Sequence, residues 1–118
     1  PATVLLLKDG LLKKGDAIAC ARIAGIMAGK MTADLIPLCH PIAIDRIDVD
    51  FEVCNDRVVI RATAVCVDKT GIEMEALTAA SIAALTIWDM CKAVDKNMRV
   101  DGLVLLSKTK QDIEVIQP

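Results

Sequence analysis

Between Ile47 and Val53 the chain alternates, with apolar Ile47, Val49, Phe51 and Val53 separated by Asp48, Asp50 and Glu52. A period of two sends successive side chains to opposite faces of a strand, so the segment is predicted to be a strand with one wet face. Asn55-Asp56 supplies turn chemistry, and Arg57 to Val67 alternates again, with Val58, Ile60, Ala62, Ala64 and Cys66 on one side. Together the two runs predict an antiparallel hairpin. Upstream the period lengthens. Asp16, after Lys13, Lys14 and Gly15, is placed as the N-cap of a helix reaching about Lys30. On that helix Ala17, Ala21, Ala24, Gly25 and Ala28 share a face, small enough for another backbone to come close. Residues 75 to 96 contain neither Gly nor Pro and read as a helix of about six turns at 3.6 residues each. Residues 2 to 9, an apolar segment closed by Gly10, are taken as a further helix, and Leu103 to Lys108 and Asp112 to Ile116 as two more strands.

This order of helix, helix, hairpin, long helix and two short strands predicts an α+β architecture, an antiparallel sheet with helices packed on one face. Periodicity leaves a ferredoxin-like plait and other α+β topologies both open. At 118 residues the chain is expected to form one domain over residues 1 to 118, with room for a single core. An elaborate site must then take walls from another subunit.

Composition sharpens the picture. Hydrophobic residues make up 54% of the chain, yet it has one Phe, one Trp and no Tyr. So much small apolar surface favours an oligomer. With 14 basic against 16 acidic residues and almost no aromatic platforms, nucleic-acid binding is not expected. The cysteines at 20, 39, 54, 66 and 91 form no C-x-x-C pair. They read as reduced thiols of a cytoplasmic protein rather than as a disulfide or zinc framework. No apolar run is read as approaching the ~18 residues of a membrane span, and no membrane partner is expected. Because the chain opens at Pro1 without Met, an N-terminal segment preceding it is expected.

At 100° per residue, Thr78, Ser81, Leu85, Asp89, Lys92 and Lys96 form one narrow stripe on the long helix, amid Ala, Ile, Leu, Val, Met and Trp. The stripe is expected to line a cleft or an interface. Asp89 and Lys92, three apart, can pair. Such a pair can merely hold structure; a lysine pressed against apolar surface can also become an acid or base near neutrality, with the carboxylate orienting it. K-T-G-I-E-M-E at 69 to 75 puts Lys69 and Gly71 in a loop of phosphate-cradling composition, but its spacing excludes a P-loop. Glu73 and Glu75 either serve a site or only complement the helix dipole. His40, the single histidine, sits in L-I-P-L-C-H-P-I between Pro37 and Pro41, which fix its backbone. It is either a structural hydrogen-bonder or a preorganised site residue. With no second His, metal binding by Cys39 and His40 is not expected, and no cofactor is called for.

L-I-P-L-C-H-P at 35 to 41, T-G-I-E-M-E-A-L-T at 70 to 78 and A-A-L-T-I-W-D-M-C-K-A at 83 to 93 together resemble the molybdenum cofactor biosynthesis protein C family, the cyclic pyranopterin monophosphate synthases. K-K-G-D at 13 to 16 and A-R-I-A-G-I at 21 to 26 follow the same order, so the likeness runs over most of residues 11 to 108. The resemblance implies a lyase that converts 3′,8-cyclo-7,8-dihydro-GTP into cyclic pyranopterin monophosphate with release of pyrophosphate. It also implies a ferredoxin-like plait and a hexamer built as a trimer of dimers, with the site at the dimer interface. Carried over by motif, Lys14 and Lys92 become the acid–base pair and Asp89 orients Lys92. His40, Cys39, Glu73, Met74, Glu75 and Lys69 become substrate-binding residues. Further basic and glycine donors between Thr109 and Asp112, and a basic segment before Pro1, are expected from the charge of a triphosphate. The rival expectation is an oligomeric small-molecule-binding module of the same fold without catalysis.

Overall fold

The computed structural model describes residues 16–37, 44–66 and 71–107. Helix α1 (Ala17–Lys30) begins where expected, because Asp16 is extended and its carboxylate accepts the Ala19 N–H at 3.0 Å. A cap of this kind is worth about 1 kcal/mol. The short helix α2 (Thr32–Leu35) follows directly, with buried Thr32 donating its hydroxyl to the Gly29 carbonyl at 2.8 Å. Strands β1 (Arg46–Val53) and β2 (Val58–Val65) form the predicted antiparallel hairpin. The Asn55-Asp56 turn is closed by the Cys54 N–H donating to the Arg57 carbonyl at 2.8 Å. The register places Ile47 opposite Ala64, Val49 opposite Ala62 and Phe51 opposite Ile60, so the two apolar sets share the face that meets the helices. Helix α3 (Glu73–Cys91) completes the layer.

The two long helices run antiparallel and touch at backbone distance. A Cβ built on Gly25 would lie 2.8 Å from the Ala79 carbonyl oxygen and 3.2 Å from the Ala83 methyl, while one on Gly29 would meet Ile47 and the Glu75 carbonyl. The small-residue face read from the sequence is therefore the helix–helix contact, and Ala17, Ala21, Ala79 and Ala83 form a core with Ile47, Val49, Ile87 and Cys91. Arg22 ties α1 to the sheet: its Nε–H donates to the Val49 carbonyl at 2.9 Å, and its guanidinium lies 5.4 Å from the Phe51 ring centroid.

The architecture is α+β, a two-stranded antiparallel sheet with helices packed against it. Helix, hairpin, helix is also the central part of the ferredoxin-like β-α-β-β-α-β order. Three expectations need correction. Residues 103–107 join no strand, and Leu103, Val104, Leu105 and Leu106 stand exposed, because alternation and β-propensity make a strand only where a neighbouring edge accepts its backbone hydrogen bonds. The long helix spans Glu73–Cys91 rather than 75 to 96. Its end is set by side chains that no propensity scale reads: the Asp95 carboxylate accepts the Asn97 N–H at 3.0 Å and the Trp88 indole N–H donates to the Met98 carbonyl at 3.1 Å, turning the chain aside. That same helix, 19 residues at mean hydropathy 1.2, does reach the length and apolarity of a membrane span. One side of it packs on α1 and the sheet, and Glu73, Glu75 and Asp89 interrupt it, as in the core helix of a globular layer. The helix expected over residues 2 to 9 and the strand from Asp112 to Ile116 lie outside the described residues.

Candidate active site

Of the expected site residues, the structure describes Glu73, Met74, Glu75, Asp89 and Lys92; Lys14, Cys39, His40 and Lys69 lie outside the described residues. Four belong to α3 and Lys92 is its C-cap, so the five fall at the two ends of that helix. Lys92 caps the C-terminal end, and its Nζ pairs with Asp89 Oδ1 at 2.8 Å. Both side chains are largely open, at 50% and 61% of full exposure. The polar stripe above them is uneven: Thr78 is buried, Ser81 is half-buried and donates to the Leu77 carbonyl at 2.8 Å, and Leu85 is exposed. The apolar surroundings expected around Lys92 are thus absent among the described residues. An exposed i, i+3 pair contributes little to stability.

The N-terminal end is the opposite case. Glu75 is only 2% exposed, and its Oε1 has no hydrogen-bond partner among the described residues. Burial pushes this carboxyl above its ordinary value of 4.5, its own backbone hydrogen bond opposes the shift, and the neighbouring charge of Glu73 adds to it. A carboxylate serving only the helix dipole would stay in water, where the dipole interaction is obtained without desolvation. Glu75 instead gives up hydration by being buried in the first turn of α3. Such a group holds or passes a proton near neutrality more readily than an exposed glutamate.

The sign of the linkage follows. Because the folded pKa is raised, the fold binds the proton more tightly than the unfolded chain. The cost of burying Glu75 is therefore absent below the unfolded pKa and grows as pH rises through the folded one. Glu75→Gln should accordingly be more stable than the parent near pH 8, with the difference shrinking as pH falls toward 4.5. Chemical denaturation across that range measures it; a difference independent of pH would show that Glu75 does not titrate in this way.

The two ends are far apart. From Glu75 to Lys92 the helix advances about 25 Å at 1.5 Å per residue, too far for one small-molecule pocket to use both from the same copy of α3. Among the described residues, no three His, Cys, Asp or Glu side chains cluster to hold a metal. Among the described residues, no disulfide joins the cysteines at 20, 54, 66 and 91. Only Cys91 is buried; burial, then the charge of Asp95, raises its thiol pKa, so it behaves as a small apolar core residue. Sequence reasoning passed over Trp88. Its signal was available: the single tryptophan, one helical turn before Lys92.

Comparison with known proteins places the chain in a family. The model of the MoaC family matches residues 1–111. The cyclic pyranopterin monophosphate synthase 1 of Mycobacterium tuberculosis is 54% identical over 110 residues, covering 92% of this chain and 65% of that protein. The cyclic pyranopterin monophosphate synthase of Chloroflexus aggregans is 54% identical over 110 residues, 92% of this chain and 67% of its own length. That of Peptoclostridium acidaminophilum is 50% identical over 107 residues, 91% and 68% respectively. The chain thus spans about two thirds of the length of the curated relatives it matches, 65% of the mycobacterial one. With the family match running from the first residue through both ends of α3, this chain belongs to the MoaC family.

Proposed function

We propose that the protein is a cyclic pyranopterin monophosphate synthase, a phosphorus–oxygen lyase of molybdenum cofactor biosynthesis that acts on 3′,8-cyclo-7,8-dihydro-GTP and releases pyrophosphate. The observation that carries this reading is the division of α3 into a buried acid at one end and an amine held on a carboxylate at the other. The reaction has to reopen and rebuild a purine-derived ring while an oxygen closes on phosphorus and pyrophosphate departs. It therefore needs movable protons and positive charge around phosphates. Lys92, oriented by Asp89, and Lys14 carry the protons. Glu73, Met74, Glu75, Cys39, His40 and Lys69 surround the substrate.

The distance along α3 supports a site shared between copies, with the amine end of one helix meeting the acid end of another at a dimer interface. Three such dimers would make the hexamer. Exposed Ile23, Met27 and Met31 along one side of α1, and Leu103 to Leu106, supply apolar surface that an assembly can cover. Cysteines without a disulfide among the described residues suit the reducing cytoplasm, where we place the protein.

The test is to incubate the full protein with 3′,8-cyclo-7,8-dihydro-GTP and follow pyrophosphate and the pyranopterin product, with sedimentation of the same sample. Product from a species heavier than one chain is expected. Binding without turnover would instead identify a small-molecule-binding module, and turnover by a monomer would remove the shared site.

A further inference from the structure

We infer that Trp88 is a positioning residue for Lys92, an assignment that rests on the acid–base role proposed for that lysine. Lys92 stands at the point where α3 stops, and helix ends fray unless their last carbonyls are satisfied. Here the Cys91 carbonyl accepts from both the Val94 and Asp95 N–H groups, at 3.0 and 3.1 Å. The Asp95 carboxylate then accepts the Asn97 N–H at 3.0 Å, which bends the chain back. A long-range bond ties the bend back to the helix, the Trp88 indole N–H donating to the Met98 carbonyl across ten residues at 3.1 Å. Met98 itself packs against the core cluster. Lys92 lies inside this closed loop, one helical turn beyond the indole that closes it.

The ion pair cannot hold the lysine in place alone. At 2.8 Å it is short, but both partners are half or more exposed, and such pairs are easily exchanged for water. The indole ring also supplies a partly buried, rigid anchor on the same helical face as the amine. The fixed backbone beneath Lys92 is what turns a flexible surface lysine into a group with one position relative to Asp89. Trp88 touches neither partner chemically in this role. It acts through the loop.

Because Trp88 is the single tryptophan, the N–H can be removed at one site by growing the protein with benzothienylalanine, which replaces the indole N–H by sulfur and keeps the ring shape. Trp88→Phe is the genetic counterpart. Two readouts are taken. Trace acetylation by acetic anhydride, mapped by mass spectrometry with Lys30 as internal reference, reports how firmly the Lys92 amine is held; it should rise at least threefold relative to Lys30. In turnover of the cyclised GTP substrate, kcat should fall roughly tenfold with KM changed less than about twofold, the pattern of a misplaced reacting group. An unchanged Lys92-to-Lys30 labelling ratio in the benzothienylalanine protein would overturn the inference, even if Trp88→Phe unfolds. If Lys92→Ala retains turnover, it is the acid–base role that fails, and the labelling ratio still decides whether Trp88 positions the amine.

Discussion

Lys92→Ala should lower product formation by about 100- to 10,000-fold, the loss expected when a proton-transfer group is removed. The fold should survive it. The side chain is half exposed and its partner Asp89 is open to water, so deleting the pair costs at most about 1 kcal/mol and leaves no buried charge behind. Lys92→Arg separates the two things the residue supplies. Arginine keeps the positive charge but does not give up a proton near neutrality, so a loss close to that of alanine identifies proton transfer, whereas near-complete rescue identifies charge alone. The measurement is single-turnover formation of the pyranopterin product, with thermal unfolding as the control for folding. Near-normal turnover in Lys92→Ala would reduce the pair with Asp89 to a surface brace.

The largest expected effect on stability belongs to Gly25→Ala. In most helices this change stabilises, since alanine is favoured over glycine by about 1 kcal/mol. Here the new Cβ would sit 2.8 Å from the Ala79 carbonyl oxygen, 3.2 Å from Ala83 Cβ and 3.3 Å from Val49 Cγ2. The nearest obstacle is backbone in the middle of α3, which cannot rotate away, so the two helices have to separate. Overpacking of this kind costs about 1–3 kcal/mol, and after the propensity gain we expect a net loss of about 1 kcal/mol, a drop of roughly 5 °C in Tm for a domain of this size. Gly29→Ala is the comparison. Its Cβ would meet first the Ile47 Cδ1 end at 2.6 Å, a group that can change rotamer, so its loss should be smaller. Equal or greater stability of Gly25→Ala, measured by thermal and denaturant unfolding, would mean that α1 and α3 do not approach this closely.

The hairpin shows how much is written locally. Alternation at 47–53 and 58–66 with Asn55-Asp56 between them leaves one way to pair two strands and put both apolar sets on one face, and the observed register does so. Asp16 likewise starts α1 through a bond to a residue three positions on. Motif order over 11 to 108 was enough to reach the family, because residue identity and order within each motif are read directly from the chain. The site was less legible. Sequence put Glu75 and Lys92 in one list, and only the straight run of α3 separates them by about 25 Å.

What the sequence determined by itself is whatever depends on neighbours within a few residues: the periods of the strands and helices, the N-cap, the small-residue face of α1 and the family motifs. Tertiary structure decided what depends on partners distant along the chain. Glu75 reads as a surface glutamate until the fold buries it, and Leu103 to Leu106 read as a strand yet pair with neither strand of the described sheet. The end of α3 belongs to the same class, because the bond between Trp88 and Met98 competes with the next helical turn only once the fold has brought the two together. The physical reason is common to all three. Burial and hydrogen-bond pairing are properties of a place in the fold, and a local pattern can state a residue's capacity for them without naming the partner that realises it.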